Sequence, residues 1–275
     1  MITVKLYGGL GNQMFQYAAG LRLATHHQTK LAIDLSWFET IGKTADTRRV
    51  YELDCFNLSA QPAGFMNKVF GGRSVTIKEK GFRFDPEILS APANATLDGY
   101  WQSYLYFEDA AETIRRDFNF ALPPSAPNAA MLNEIAKVTA VSLHVRRGDY
   151  ITNEAANKFH GTSPLDYYRM AIEYLSARVK NPHFFVFSDD PEWCKANLTI
   201  DFATTYVDHN PPDKGYEDLR LMSHCKHHIV ANSSFSWWGA WLNSNPEKIV
   251  VAPKIWFLDS SIDTTDLVPT SWKRL

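Results

Sequence analysis

Cysteine is scarce in this chain. Its 275 residues hold three, Cys55, Cys194 and Cys225. They are odd in number, scattered, and form no Cys-x-x-Cys pair. That excludes a disulfide framework or a zinc knuckle and fits a reducing compartment. An excess of one charge is also missing. The formal net charge is -2 and no long basic stretch occurs, so nucleic acid is a poor candidate partner. No apolar run reaches membrane-spanning length. The opening Met1-Ile2-Thr3-Val4-Lys5-Leu6-Tyr7 turns glycine-rich instead of continuing as a signal peptide. The chain is therefore expected to lack a transmembrane segment and to act in the cytoplasm. The Asn-x-Ser/Thr matches at Asn57, Asn94, Asn197 and Asn232 carry no weight there. Internal repeats and low-complexity segments are absent.

What is present is an apolar share of 45%, enough for one large or two medium domains. Ile2 to Tyr7 alternates like a strand, Gly8 to Gln13 reads as a tight loop, and Met14, Tyr17, Ala18 and Leu21 follow at helical spacing. Strand, glycine loop and helix open an α/β layer fold. Lys30 to Leu35 predicts a strand. Residues 36 to 96 are poorly patterned, with Gly71-Gly72 and several prolines. Thr96 to Trp101 predicts a strand and Leu105 to Phe118 an amphipathic helix. Leu122-Pro123-Pro124-Ser125-Ala126-Pro127 reads as a linker. Beyond it, strands are expected at 138–143, 183–187, 228–231 and 248–251, and helices at 164–179, 191–197, 216–225 and 235–242. This alternation predicts parallel sheets with helices on both faces.

The chemistry concentrates at predicted strand ends. His144-Val145-Arg146-Arg147-Gly148-Asp149 follows the apolar run Val138 to Leu143. Open α/β sheets bind ligands at that edge. An arginine fork matches phosphate and keeps its charge at any working pH. Gly148 allows a ligand or backbone to come close. A surface ion-pair network is the plainer reading, but a buried strand leads into the cluster. Asn232-Ser233-Ser234-Phe235-Ser236-Trp237-Trp238-Gly239 follows another strand. Small hydroxyl residues at a helix start make an anion site, while the tryptophans suit core packing. Arg146 and the serines together can grip a diphosphate from two sides.

Other groups are weaker. Gly9-Leu10-Gly11 supplies two glycines of a dinucleotide fingerprint, but Met14 stands at the third position, with Asp34 as the only acidic candidate for a ribose. Asn12 and Gln13 suit a sugar hydroxyl better. Ser188-Asp189-Asp190-Pro191 admits a divalent metal, yet a helix cap by Ser188 or Asp189 is preferred. His224-Cys225-Lys226-His227-His228 lacks further ligands for a metal.

Three blocks in order resemble glycosyltransferase family 11, the α-1,2-fucosyltransferases, and especially its bacterial members. These are Gly8-Gly9-Leu10-Gly11-Asn12-Gln13-Met14-Phe15-Gln16, His144-Val145-Arg146-Arg147-Gly148-Asp149-Tyr150, and Asn232-Ser233-Ser234-Phe235-Ser236-Trp237-Trp238-Gly239-Ala240-Trp241-Leu242. The resemblance implies a GT-B-like fold of two facing Rossmann-type α/β domains with parallel sheets. Residues 1-125 would form the acceptor side and 126-275 the donor side. It implies GDP-β-L-fucose as donor, inversion to an α-linkage on the 2-hydroxyl of a terminal β-galactoside, and no metal or cofactor. The acceptor would be a galactose-terminated glycan or lipid-linked oligosaccharide in surface-polysaccharide synthesis. That setting leaves room for peripheral membrane association.

Comparison with related α-1,6-fucosyltransferases implies roles for single residues. Arg146 would bind the diphosphate and His144 would lie near the nucleoside. Asp218, sixteen positions before Ser234, would bind guanine. Glu154, ten after His144, would be the base, with Asp149 as the alternative. Ser233, Ser234 and Phe235 join the donor site, as do Gly11 and Asn12. Asn12 and Gln13 would meet the acceptor sugar, and Arg147 would hold local structure. Two readings outside the family stay open, a nicotinamide oxidoreductase and a non-catalytic sugar-binding protein.

Overall fold

A computed structural model describes residues 1–40, 49–62, 74–148 and 153–275. The chain forms two compact units. One comprises Met1–Leu122 with Ile262–Pro269, the other Pro123–Ser261 with Thr270–Leu275. The division falls inside the proline-rich segment. The return of 262–269 to the first unit departs from the expected boundaries, because a distant segment has no local pattern to mark it. Ion pairs and a hydrogen bond secure it. Arg83 reaches Asp263 and Asp266, each at 2.7 Å, and the Ser103 hydroxyl donates to the Asp266 carbonyl at 2.8 Å.

The first unit contains β1 (Ile2–Lys5), α1 (Leu10–His26), β2 (Leu31–Asp34), α2 (Ser36–Glu39), β3 (Gln61–Pro62), β4 (Val75–Lys78), β5 (Ala95–Asp98) and α3 (Ala111–Asp117). Its strands run parallel in the order β3-β2-β1-β5-β4. Met14, Tyr17 and Ala18 of α1 are fully buried, as their spacing predicts. Beneath them the Tyr17 and Ser59 hydroxyls donate to Asp117 at 2.5 and 2.6 Å.

Three expectations fail here. Helix α1 starts at Leu10, because Gly9 takes the cap position and accepts from the Asn12 and Gln13 amides at 2.9 and 3.1 Å. The strand predicted to reach Trp101 ends at Asp98, and Trp101 takes a left-handed φ of 56°. The helix predicted over 105–118 breaks into two short 3-10 turns, Tyr104–Tyr106 and Glu108–Ala110, before α3. There Tyr104, Tyr106 and Phe107 all bury their rings, and no single helical stripe can carry so many close neighbours inward.

The second unit contains α4 (Ala126–Lys137), β6 (Thr139–Val145), α5 (Glu154–His160), α6 (Leu165–Ser176), β7 (Pro182–Ser188), α7 (Pro191–Asn197), β8 (Ala203–Val207), α8 (Gly215–His224), β9 (His227–Ile229), α9 (Ser234–Leu242), β10 (Val250–Ala252) and β11 (Lys273–Arg274). All six strands are parallel, in the order β11-β10-β9-β6-β7-β8. The chain leaves β6 towards β7 and leaves β9 towards β10. The strand order therefore reverses between β6 and β9, where open parallel sheets hold ligands at the carboxyl edge. Trp237, Trp238 and Trp241 are all core, with the ring centre of Trp238 5.0 Å from Trp237 and 5.1 Å from Trp241. No described helix is long and apolar enough to cross a membrane.

Candidate active site

The carboxyl ends of β6, β7 and β9 carry the predicted cluster. Strand β6 is buried from Ala140 to Val145, so its register is fixed and its polar continuation, Arg146 to Gly148, emerges at the edge. Arg146 is not a lone cation, since its Nη1 lies 2.9 Å from Oδ2 of Asp189. The other oxygen of Asp189 accepts from the Arg147 amide at 2.9 Å. Gly148 is what lets this carboxylate in: a Cβ there would stand 2.5 Å from Oδ2 of Asp189. The close approach expected at Gly148 is thus made by the chain itself. A guanidinium has five donors in a fixed fork. The contact to Asp189 orients Arg146.

Arg147 has the structural role expected of it. Its Nε donates to Asp190 at 3.2 Å and its guanidinium lies 3.7 Å above the Trp193 ring. The cap of α7 is Asp190, which accepts from the Trp193 amide at 3.2 Å. Neither Ser188 nor Asp189 caps that helix, contrary to expectation. Ser188 instead accepts from the Asp190 amide at 3.0 Å, and Asp189 is committed to the two arginines. Both acids are paired with cations.

His144 is buried with its ring centre 5.7 Å from that of Phe235, and its Nδ1 has no partner among the described residues. Burial pushes its pKa down; Arg146 adds to this while Asp189 opposes it. The imidazole is therefore neutral near pH 7, with a buried nitrogen that lacks the partner such atoms normally have.

Helix α9 begins at the end of β9. Ser233 occupies its cap position without a capping side-chain bond, so the first-turn amides are not satisfied that way. Asn232 fixes the approach. Its amide nitrogen donates to the carbonyls of His160, Gly161 and Trp256 at 3.0, 3.1 and 3.3 Å, and its oxygen accepts from Ser163 at 3.1 Å. The Ser236 hydroxyl braces the same turn by accepting from the Ala231 amide at 3.2 Å.

Asp218 lies in the first turn of α8, which follows β8. It accepts from Asn210 at 2.7 Å, and burial raises its pKa to about 6. Asn210 also donates to Asn128 at 3.1 Å, so a side-chain network presets this carboxylate. Asp149 lies outside the described residues. Glu154 opens α5, and nothing of its side chain is described.

The histidine-rich segment is spent on structure. The Asn243 amide donates to Nε2 of His228 at 2.7 Å, and the other ring nitrogen meets the Ser142 hydroxyl at 2.8 Å. His227 accepts from the Ile249 amide at 3.0 Å, and His224 bonds the Arg220 carbonyl at 2.8 Å.

In the first unit the N-terminal block behaves differently from expectation. Gln13 is fully buried. Its amide nitrogen donates to the Gly8 and Val50 carbonyls at 3.0 and 2.9 Å, and its oxygen accepts from the Glu52 amide at 3.0 Å. It holds the loop and cannot also meet a sugar. Asn12 is half-buried and accepts from Gln102 at 2.8 Å. Gly11 is buried in the first turn of α1. Gly8 is left-handed, and a Cβ on it would stand 2.6 Å from Asn12; one on Gly9 would stand 3.4 Å from Arg49. Gly8 and Gly9 thus make room for the chain's own side chains.

Sequence reasoning missed Asp189 as the partner of Arg146. Two acids after one strand and two arginines after its neighbour were the signal, legible once β6 and β7 are paired.

The family model described as glycosyl transferase family 11 matches residues 1–273. An Escherichia coli alpha-1,2-colitosyltransferase is 34% identical over 300 residues, covering 100% of this chain and 99% of that protein. The E. coli O-antigen biosynthesis glycosyltransferase WbnK is 35% identical over 309 residues, with 98% and 99% covered. Human galactoside alpha-(1,2)-fucosyltransferase 1 is 29% identical over 154 residues, covering 53% of this chain and 42% of that protein. Among solved structures, the fucosyltransferase NodZ from Bradyrhizobium superposes with a TM-score of 0.51 at 13% identity, covering 86% of this chain and 91% of that one. Arabidopsis thaliana FUT1 (mutant R284K, with GDP) gives 0.50 at 11% identity, with 90% and 69% covered. The two parallel-sheet units are GT-B-like.

Proposed function

This chain belongs to glycosyl transferase family 11, and on that footing we propose that it is an inverting, metal-independent transferase. It moves L-fucose, or the fucose analogue colitose, from the GDP-sugar to the 2-hydroxyl of a terminal β-galactoside. Arg146 carries the proposal: a guanidinium held by Asp189 at 2.9 Å, at the end of a strand flanking the reversal in strand order. The relative named a colitosyltransferase keeps the second donor in view, since it covers the whole chain.

In this reading the 2-hydroxyl attacks the anomeric carbon on the face opposite GDP. Positive charge builds on the sugar ring and negative charge on the departing diphosphate. Arg146, the Ser233 and Ser234 hydroxyls and the first-turn amides of α9 stabilise that negative charge. Groups fixed in place beforehand are often the largest catalytic contribution. His144 and Phe235 form the wall for the nucleoside, and Asp218 accepts from the guanine edge. Glu154, or else Asp149, takes the hydroxyl proton, a step general-base catalysis values at roughly a hundredfold or more. The first unit is the acceptor side, with Asn12 retained as a sugar contact and Gln13 dropped. We place the reaction in bacterial surface-polysaccharide assembly in the cytoplasm, beside a membrane when the acceptor is lipid-linked. The likeness to WbnK, an O-antigen biosynthesis glycosyltransferase, supports this setting.

The test is incubation with GDP-fucose and, separately, GDP-colitose over a panel of galactosides, with product linkage read by NMR. An α-1,2 product from either donor is expected. Release of GDP without a glycan product, or another linkage, contradicts the proposal. Tryptophan fluorescence titrated with GDP and with NADH separates it from the oxidoreductase reading.

A further inference from the structure

The carboxyl edge of the first unit's sheet carries a second group of side chains that the donor chemistry does not use. Tyr7 follows β1, Trp37 follows β2, Glu79 follows β4 and Tyr100 follows β5, so four adjacent strand ends contribute. The ring centre of Tyr7 lies 5.0 Å from that of Tyr100, edge to face, and 6.2 Å from that of Trp37. Tyr100 is 38% exposed, and Tyr7 and Trp37 are half-buried. Folding alone gives no reason to leave three large rings together at a wet edge.

The turn that presents Tyr100 is built at a cost. Trp101 sits at φ 56°, a region that strains a bulky residue and persists only where the surroundings enforce it. Glu79 enforces it, accepting from the Tyr100 and Trp101 amides at 2.7 and 2.9 Å. Gly99 admits that carboxylate's chain, since a Cβ there would stand 2.3 Å from the Cβ of Glu79. Polar groups flank the rings. Lys5 pairs with Asp98 at 2.8 Å, and Gln102 bonds Asn12 at 2.8 Å. An apolar ring surface bordered by fixed donors and acceptors matches a pyranose, which has C–H faces and a rim of hydroxyls. A galactoside matches best, because its axial 4-hydroxyl leaves one face as a continuous run of C–H bonds.

We propose that Tyr7, Trp37 and Tyr100 form the platform on which the acceptor's terminal galactoside stacks, with Glu79 as the residue that positions Tyr100. The assignment of a galactoside rests on the function proposed above.

Binding of methyl β-galactoside to the GDP-loaded protein tests it, by saturation-transfer NMR, alongside acceptor KM and GDP affinity. Tyr100→Ala should weaken galactoside binding and raise acceptor KM by at least about tenfold, equivalent to roughly 1.4 kcal/mol. GDP affinity and thermal midpoint should stay at parental values. Tyr100→Phe, which keeps the ring, should restore binding; the parental thermal midpoint and GDP affinity of Tyr100→Ala are what a role confined to folding would not predict. Unchanged binding in Tyr100→Ala overturns the platform, and so does a parent protein that gives no saturation transfer to the galactoside. Failure of the transfer reaction is a separate result: a parent that binds galactoside through Tyr100 yet makes no product upholds the platform and removes the proposed activity.

Discussion

At the scale of single residues, the proposed function rests first on Arg146 and Asp189. Asp189 takes the Arg146 guanidinium and the Arg147 amide, so in that proposal the fork is aimed before a diphosphate binds. Arg146→Ala should lower turnover by about a hundredfold to a thousandfold, the usual loss for a donor of this kind. Circular dichroism and the melting curve should match the parent, because the side chain contributes little to the core. Steady-state kinetics near parental values would remove Arg146 from catalysis. Asp218 makes a pH-dependent prediction. Burial raises its pKa from 3.8 to about 6, so the folded protein keeps a proton that the unfolded chain releases between those values. Stability from this group is therefore greatest below 3.8 and falls as pH rises to about 6. Binding runs the other way. A carboxylate accepts from the guanine edge better than a neutral acid, so GDP affinity should rise as pH passes through about 6. Calorimetric titration should show a steeper rise in the parent than in Asp218→Asn, where only the GDP phosphate, itself titrating at about pH 6, still changes charge. Equal pH profiles would take Asp218 off the guanine.

At the scale of elements, close approaches decide what each turn can do. Gly148→Ala would drive a Cβ to 2.5 Å from Asp189, so either the carboxylate or the β6 turn must move. GDP affinity should fall about tenfold or more, since one misplaced supporting contact at a preorganised site commonly costs that much. A change in melting temperature without a change in affinity would mean that the contact serves only folding. The same close contacts explain what the sequence could reveal. Strands β6 and β7 and helix α9 were legible because long apolar runs meet Pro, Gly and Ser at their ends, and helix α7 because Ser188-Asp189-Asp190-Pro191 marks its start. The candidate edge was legible too, since Arg146, Asn232 and Ser233 stand directly after such runs. Gln13 was misread because an amide at a helix start looks the same in sequence whether it faces water or the Val50 carbonyl. Trp101 was misread as strand because its left-handed turn is imposed by Glu79, twenty-two positions earlier. The short β8 and β11 have too few residues for a period to show.

At the scale of the whole molecule, two parallel sheets each bring polar side chains to their carboxyl edges. In the proposals above, the second unit would offer cationic and amide donors to a diphosphate, and the first would offer rings to a sugar. An activity that relies on Arg146 and the α9 amides for leaving-group charge should survive metal removal. Transfer in excess EDTA should match the untreated rate; loss of product with recovery on added magnesium or manganese would contradict that. In the proposed function the nucleotide lies at the β6/β9 edge under the Arg146 guanidinium. A crystal structure with GDP is the decisive measurement. The diphosphate should lie within hydrogen-bond distance of Arg146 and the first turn of α9, with guanine at Asp218. GDP bound away from Arg146, or no GDP bound at saturating concentration, would contradict it.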